Sequence, residues 1–110
     1  MQVENPIPKR LKKARVKAGY SQKGLGVSIG MDESSASGRM NHYEKGRHTP
    51  DIHTLKRIAD KLDVPLSYFF CEDDLTAKII CALDKVSDAN KSKVLNMLSE
   101  MVNNDNSEKN

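Results

Sequence analysis

Apolar residues in this chain recur at spacings of three and four in short stretches, each bounded by proline, glycine or a small capping side chain. That is the period of an amphipathic α-helix, and it predicts helices almost throughout. Ile7, Leu11, Ala14 and Ala18 make one stripe on a first helix, Pro8 to Ala18, entered through Pro8 and stopped by Gly19. Ser21 reads as the N-cap of a second, Gln22 to Ile29, with Tyr20 and Leu25 placed as a hydrophobic staple. Gly24 and Gly26 each cost such a helix about 1 kcal/mol relative to alanine, which is tolerable if one of them permits a close helix crossing. Asp32 is a good N-cap for a third helix from near Glu33, whose Ala36, Met40 and Tyr43 fall on one side at 100° per residue. Gly46 ends that helix. Asp51 caps a fourth, carried by Ile52, Leu55, Ile58, Ala59 and Leu62, and Val64-Pro65 opens a short fifth that sends Leu66, Phe69 and Phe70 to the core.

A chain of 110 residues, 37% hydrophobic and 30% charged, buries one modest core. No stretch approaches the ~18 consecutive apolar residues of a membrane span, and the N-terminus has no apolar segment behind its charges. A soluble, cytoplasmic protein without membrane contact is expected. Cys71 and Cys81 stand ten apart among apolar neighbours, without CxxC spacing; structural thiols are expected, and neither they nor His48 and His53 suggest a metal site. The charge is unevenly placed. Residues 1–70 hold 13 Lys+Arg against 7 Asp+Glu, and residues 71–110 hold 5 against 8, so the first part is where a polyanion would bind. Within it, Lys9, Arg10, Lys12, Lys13, Arg15 and Lys17 form a run that is either a solvated helix face or a source of nonspecific attraction.

The third helix is unusual on its outward side, which collects Ser34, Ser35, Gly38, Arg39, Asn41 and His42. Short hydrogen-bonding groups with one long cation suit a groove lined with base edges and phosphates. A merely solvated helix is the other reading, although such helices favour Glu, Lys and Gln.

The segments "RLKKARVKAGYSQKGLGVSIG" and "YEKGRHTPDIHTLKRIADKLDVPLSYFF" closely resemble the helix-turn-helix domain of phage repressor and Cro-like transcriptional regulators, over about Ile7 to Phe70. The resemblance implies an all-α, five-helix, lambda-repressor-like domain that binds double-stranded DNA through its third helix. It implies that Gln22 touches a phosphate or braces that helix. Twelve residues separate Gly30 from Tyr43, about four more than the family usually has, and four is close to one helical turn of 3.6 residues. A lengthened recognition helix is therefore expected. Counting back from Tyr43 puts Ser37, Gly38, Asn41 and His42 at the family's reading positions, whereas the added turn would present Ser34, Ser35 and Arg39. Arg39 is the candidate for a bidentate guanine contact and Asn41 for adenine. Ser21, Gln22, Lys23, Ser37, Lys45 and Arg47 are the candidates for the DNA backbone. Gly26 also departs from the family, which prefers alanine at that crossing.

The expected organisation is a flexible N-terminus over residues 1–6, the DNA-binding domain over 7–70, a helical extension over 71–102 and a disordered tail over 103–110. Two short helices, near 74–86 and 88–102, carry apolar stripes. They either extend the domain's core or, preferably, dimerise the protein through Leu83, Val94, Leu95, Leu98 and Met101, because one helix-turn-helix unit covers a single half-site. An enzyme would need a phosphate loop, paired metal ligands or a nucleophile set, and none is suggested; no cofactor is expected. The resulting function is a sequence-specific transcriptional regulator, preferably a repressor on a palindromic operator, with control by concentration or by a regulatory protein partner. The alternative is a protein-interaction module, such as an antitoxin or adaptor, on the same fold.

Overall fold

The computed structural model describes residues 4–109; of the expected flexible N-terminus, residues 1–3 lie outside them. The described residues form helices and turns: α1 (Ile7–Lys17), α2 (Gln22–Ser28), α3 (Ala36–Glu44), α4 (Ile52–Leu62), a 3-10 helix (Leu66–Phe70), α5 (Asp74–Asp84) and α6 (Asp88–Lys109). The capping side chains act where the sequence places them. Ser21 Oγ accepts from the Gly24 N–H at 2.8 Å, and Asp51 Oδ1 accepts from the Thr54 N–H at 2.8 Å. Each satisfies an N–H that the first turn of a helix leaves without an internal partner. Gly46 follows α3 with φ +74°, the left-handed conformation that closes a helix end most cheaply with glycine.

One core gathers Leu11, Leu25, Met40, Leu55, Ile58 and Phe69, all essentially inaccessible, with Ile7, Ala14, Ala36, Tyr43, Ala59 and Leu62 around them. Tyr68 and Phe69 fill the place expected for Phe69 and Phe70. Phe70 is half exposed, because the 3-10 turn directs Tyr68 and Phe69 inward and leaves the third aromatic facing out. Cys71 is buried and Cys81 half-buried, both as free thiols, and burial pushes the Cys81 thiol up.

Two expectations change. The third helix is not lengthened: α3 begins at Ala36, and residues 33–35 form a turn in front of it. Asp32 organises that turn. Its Oδ1 accepts from the Ser34 N–H at 3.0 Å, and its carbonyl accepts from the N–H groups of Ser35 and Ala36 at 3.0 and 2.9 Å. The turn is thus continuous with the helix without being part of it. At the other end of the chain the described part of the expected tail, residues 103–109, is helical, and residue 110 lies outside the described residues. α6 runs on to Lys109, 22 residues in all, and the second C-terminal helix is therefore long rather than short.

α2 and α3 cross at Gly26. A methyl group there would lie 2.8 Å from Ala36 Cβ, 3.2 Å from Ala36 Cα and 3.1 Å from Met31 Sδ. The α3 backbone thus occupies the space that a side chain at position 26 would need.

The joint between domain and extension is built on Arg10, which is 2% exposed. Its Nε donates to the Cys71 carbonyl and its Nη1 to Asp74 Oδ1, both at 2.8 Å, and its guanidinium lies 5.8 Å from the Tyr68 ring centroid. Nη2 has no hydrogen-bond acceptor among the described residues; the π face of Tyr68 gives the group a second favourable surface. α5 packs through Ala77, with Ile80 and Cys81 against the core. α6 does not join that core: none of its described residues is buried.

Gly26→Ala gains helix propensity but overpacks the crossing, so urea denaturation should show a net loss of about 1–3 kcal/mol. An unchanged or raised midpoint would mean that α2 and α3 can move apart freely. The Asp74 carboxyl is held at about 2, chiefly by the Lys13 ammonium and the Arg10 guanidinium. Because its folded value lies below its unfolded one, the associated stability is present above about pH 4 and is lost as pH falls towards 2. Asp74→Asn should therefore reduce the drop in Tm between pH 4 and pH 2. The capping carboxylates of Asp32, Asp51 and Asp73, held low by N–H donors, should leave part of the drop in place.

Candidate nucleic-acid interface

α3 presents two unlike sides. Ala36, Met40 and Tyr43 are buried as the helical spacing predicts, while Ser37, Gly38, Arg39 and Lys45 are exposed. Gly38 has open space where a side chain would stand, so the helix surface there is flat. Arg39 has no carboxylate partner among the described residues, and its guanidinium approaches only the Tyr43 hydroxyl, at 3.5 Å. It is a long cation free to reorient towards a ligand.

The remaining candidates for base contact are placed differently. Ser34 lies ahead of the helix and spends its hydroxyl on Asp32 Oδ1 at 3.1 Å. Ser35 is half-buried, with its hydroxyl 3.4 Å from the Asp32 carbonyl. Asn41 and His42 are half-buried further along α3. Asn41 Oδ1 accepts from Gln22 Nε2 at 3.3 Å, and His42 stacks on His48 with centroids 5.2 Å apart. Ser37, Gly38 and Arg39 are thus consecutive exposed residues spread over the outward arc of α3, with Ser34 and Ser35 on the preceding turn.

Of the backbone candidates, Ser21 caps α2. Lys23 reaches Glu33 Oε1 at 3.1 Å across the gap to the turn before α3. Both groups are more than half exposed, so this pair is worth little in water. Lys45 and Arg47 are exposed without an ion-pair partner among the described residues. With Arg39 they leave three free cations on α3 and the turn that follows it.

Gln22 braces α3. Besides Asn41 it donates to Glu44 Oε1 at 3.2 Å. Glu44, whose side chain is 3% exposed, receives Arg15 Nε at 2.6 Å on Oε2 and Arg15 Nη2 at 3.0 Å on Oε1. A third Arg15 nitrogen donates to the Tyr20 carbonyl at 2.8 Å. One carboxylate therefore ties the last turn of α3 to α1 and α2. Behind α2, Arg57 Nη1 donates to the Ile29 carbonyl at 3.2 Å, satisfying an acceptor at the helix end.

These roles correct the reading of the basic run on α1. Arg10 is buried, Arg15 is committed to Glu44, and Lys9 and Lys13 join Arg10 on Asp74 at 3.9 and 2.8 Å. Lys12 and Lys17 are left without an ion-pair partner among the described residues. The two arginines of the run are thus structural, and their partners lie 29 and 64 positions away in the chain, where local spacing gives no signal.

Comparison with known proteins identifies the fold. The helix-turn-helix family model matches residues 11–69. The HTH-type transcriptional regulator ImmR of Bacillus subtilis (strain 168) is 33% identical over 72 residues, 66% of this chain and 54% of that protein. The chain thus matches about half the length of that relative. The crystal structure of the transcriptional regulator BswR superposes with a TM-score of 0.76 at 41% identity, covering 86% of this chain and 93% of that one.

Glu44→Ala would leave Arg15 buried without its counter-charge, and urea denaturation should show a loss of about 3 kcal/mol or more. A loss below about 1 kcal/mol would remove Glu44 as the anchor of α3.

Proposed function

The chain belongs to the Cro/C1-type helix-turn-helix family of transcriptional regulators, and on that premise we propose that it is a cytoplasmic, sequence-specific repressor that binds a palindromic operator as a homodimer. The observation that carries the reading is the exposed side of α3. Gly38 leaves the outward side of α3 open, the exposed Ser37 and the uncommitted Arg39 guanidinium stand on its two flanks, and the unpaired charges of Lys45 and Arg47 follow it. In this reading α3 lies in the major groove, where a bidentate arginine distinguishes guanine from the other bases. Lys45, Arg47 and the N-terminus of α2 approach phosphates, which fix register without reading sequence. Ser34 and Ser35 approach the groove edge from the turn, while Asn41 and His42 reach bases only by giving up their contacts with Gln22 and His48.

The extension supports the dimer. Leu95, Leu98, Met101 and Val102 on α6 are 46–64% exposed, and apolar surface gathered along one helix marks an association site. Leu83 on α5 and Val94 on α6 are half-buried. Two units related by a two-fold axis then read half-sites about 34 Å apart. Regulation follows from concentration or from a protein that separates the dimer.

Selection of bound duplexes from a random library at near-physiological salt, with Arg39→Ala in parallel, tests this reading. The expected result is a two-fold symmetric motif that loses preference at one position per half-site in the variant, a change of about 1–3 kcal/mol. Affinity should fall linearly in log salt. Binding at low salt with no motif would replace the repressor with the protein-interaction module.

A further inference from the structure

Every residue of α6 from 95 to 108 is exposed, so this stretch of helix is without a covering partner in the monomer. Its apolar residues do not form a simple patch. Lys91, Val94, Leu98, Met101, Asp105 and Glu108 follow one another at intervals of three, four, three, four and three, the a/d seam of a two-stranded coiled coil. Leu95 and Val102 border the seam on one side. The seam therefore starts with a cation, is apolar in its middle and ends in two carboxylates.

That order selects an orientation. In a parallel pair of identical helices each seam residue meets its own counterpart, so Lys91 would face Lys91, Asp105 would face Asp105 and Glu108 would face Glu108. Three of six layers would hold like charges. In an antiparallel pair an a position meets a d position, and the register that centres Leu98 against Met101 gives a different set. Leu98 of each helix packs on Met101 of the other, Val94 meets Asp105, and Lys91 meets Glu108 at both ends. Asp105 is then only one layer from the same Lys91. The flanks match as well, Leu95 falling beside Val102. Lys91 is available for this role: its side chain is 42% exposed, and its nearest carboxylate is the loose contact with Asp88 at 3.9 Å.

We propose that α6 pairs with α6 of a second copy of this chain in an antiparallel coiled coil, centred on Leu98 and Met101 and closed at each end by Lys91 and Glu108. This rests on the dimer reading above and adds its geometry. The two-fold axis runs across the middle of α6, and the DNA-reading domains sit at opposite ends of the pair.

Sedimentation equilibrium on the full chain tests it with four proteins: the unaltered chain, E108K, E108Q and the double variant K91E/E108K, with far-ultraviolet circular dichroism to establish that α6 stays helical. In the antiparallel pair E108K sets like charges together at both ends and should weaken dimerisation roughly ten-fold. E108Q should weaken it less, and the double variant should return to the unaltered affinity. In a parallel pair E108K exchanges one like pair for another, leaving the affinity unchanged, and E108Q tightens the dimer; that outcome overturns the proposal while keeping the dimer. A dimer indifferent to all three variants places the interface elsewhere and also overturns it. A chain that stays monomeric at every concentration removes the dimer reading itself.

Discussion

The placement of α3 depends on a buried carboxylate. Glu44 sits at the end of the helix that carries the exposed polar surface, and it is held by two nitrogens of Arg15 from α1 and by Gln22 from α2. Burying such a pair costs desolvation that its attraction only partly offsets. Its value lies in direction: a planar guanidinium meeting a carboxylate at two points fixes angle as well as distance. With Met40 seated in the core one turn earlier and Tyr43 beside it, α3 has little freedom to roll. The outward residues are therefore presented by a helix whose rotation is set from behind.

The front of α3 is set by a different constraint. Gly26 lets the backbone of α2 approach Ala36 so closely that no side chain fits between them. Ala36 is also the first residue of the helix. The residues beyond the usual family spacing thus fall on the near side of this crossing, where Asp32 folds them into a turn with its carboxylate and carbonyl. The added residues change what precedes the exposed side of α3 and leave its buried side in phase.

Much of this was legible in the sequence. Apolar spacing and caps identify each helix, the inward side of α3, and the acceptors Ser21 and Asp51, because these signals act within four residues. The roles of Arg10, Arg15 and Arg57 were not legible. A cation on a helix looks the same whether it faces water or a carboxylate 64 residues away, and only the folded chain decides between them. Phe70 misled because Tyr68, Phe69 and Phe70 read as comparably apolar, although the turn directs only the first two inward. The end of α6 misled for another reason. Its Asn- and Ser-rich composition suggests an unstructured tail, yet residues 66–110 contain neither glycine nor proline to stop a helix.

Arg10 binds the first helix to the carbonyl of Cys71 and to Asp74 at the start of α5, so the extension is clamped to the domain rather than tethered by a linker. The distinction matters for any assembly that the extension mediates. A flexible tether lets two binding units sample many separations, at a cost that grows only slowly with length. A clamped arm transmits a fixed angle and span, as a pair of calipers does. The direction in which α5 leaves the domain is then a property written into a single buried guanidinium.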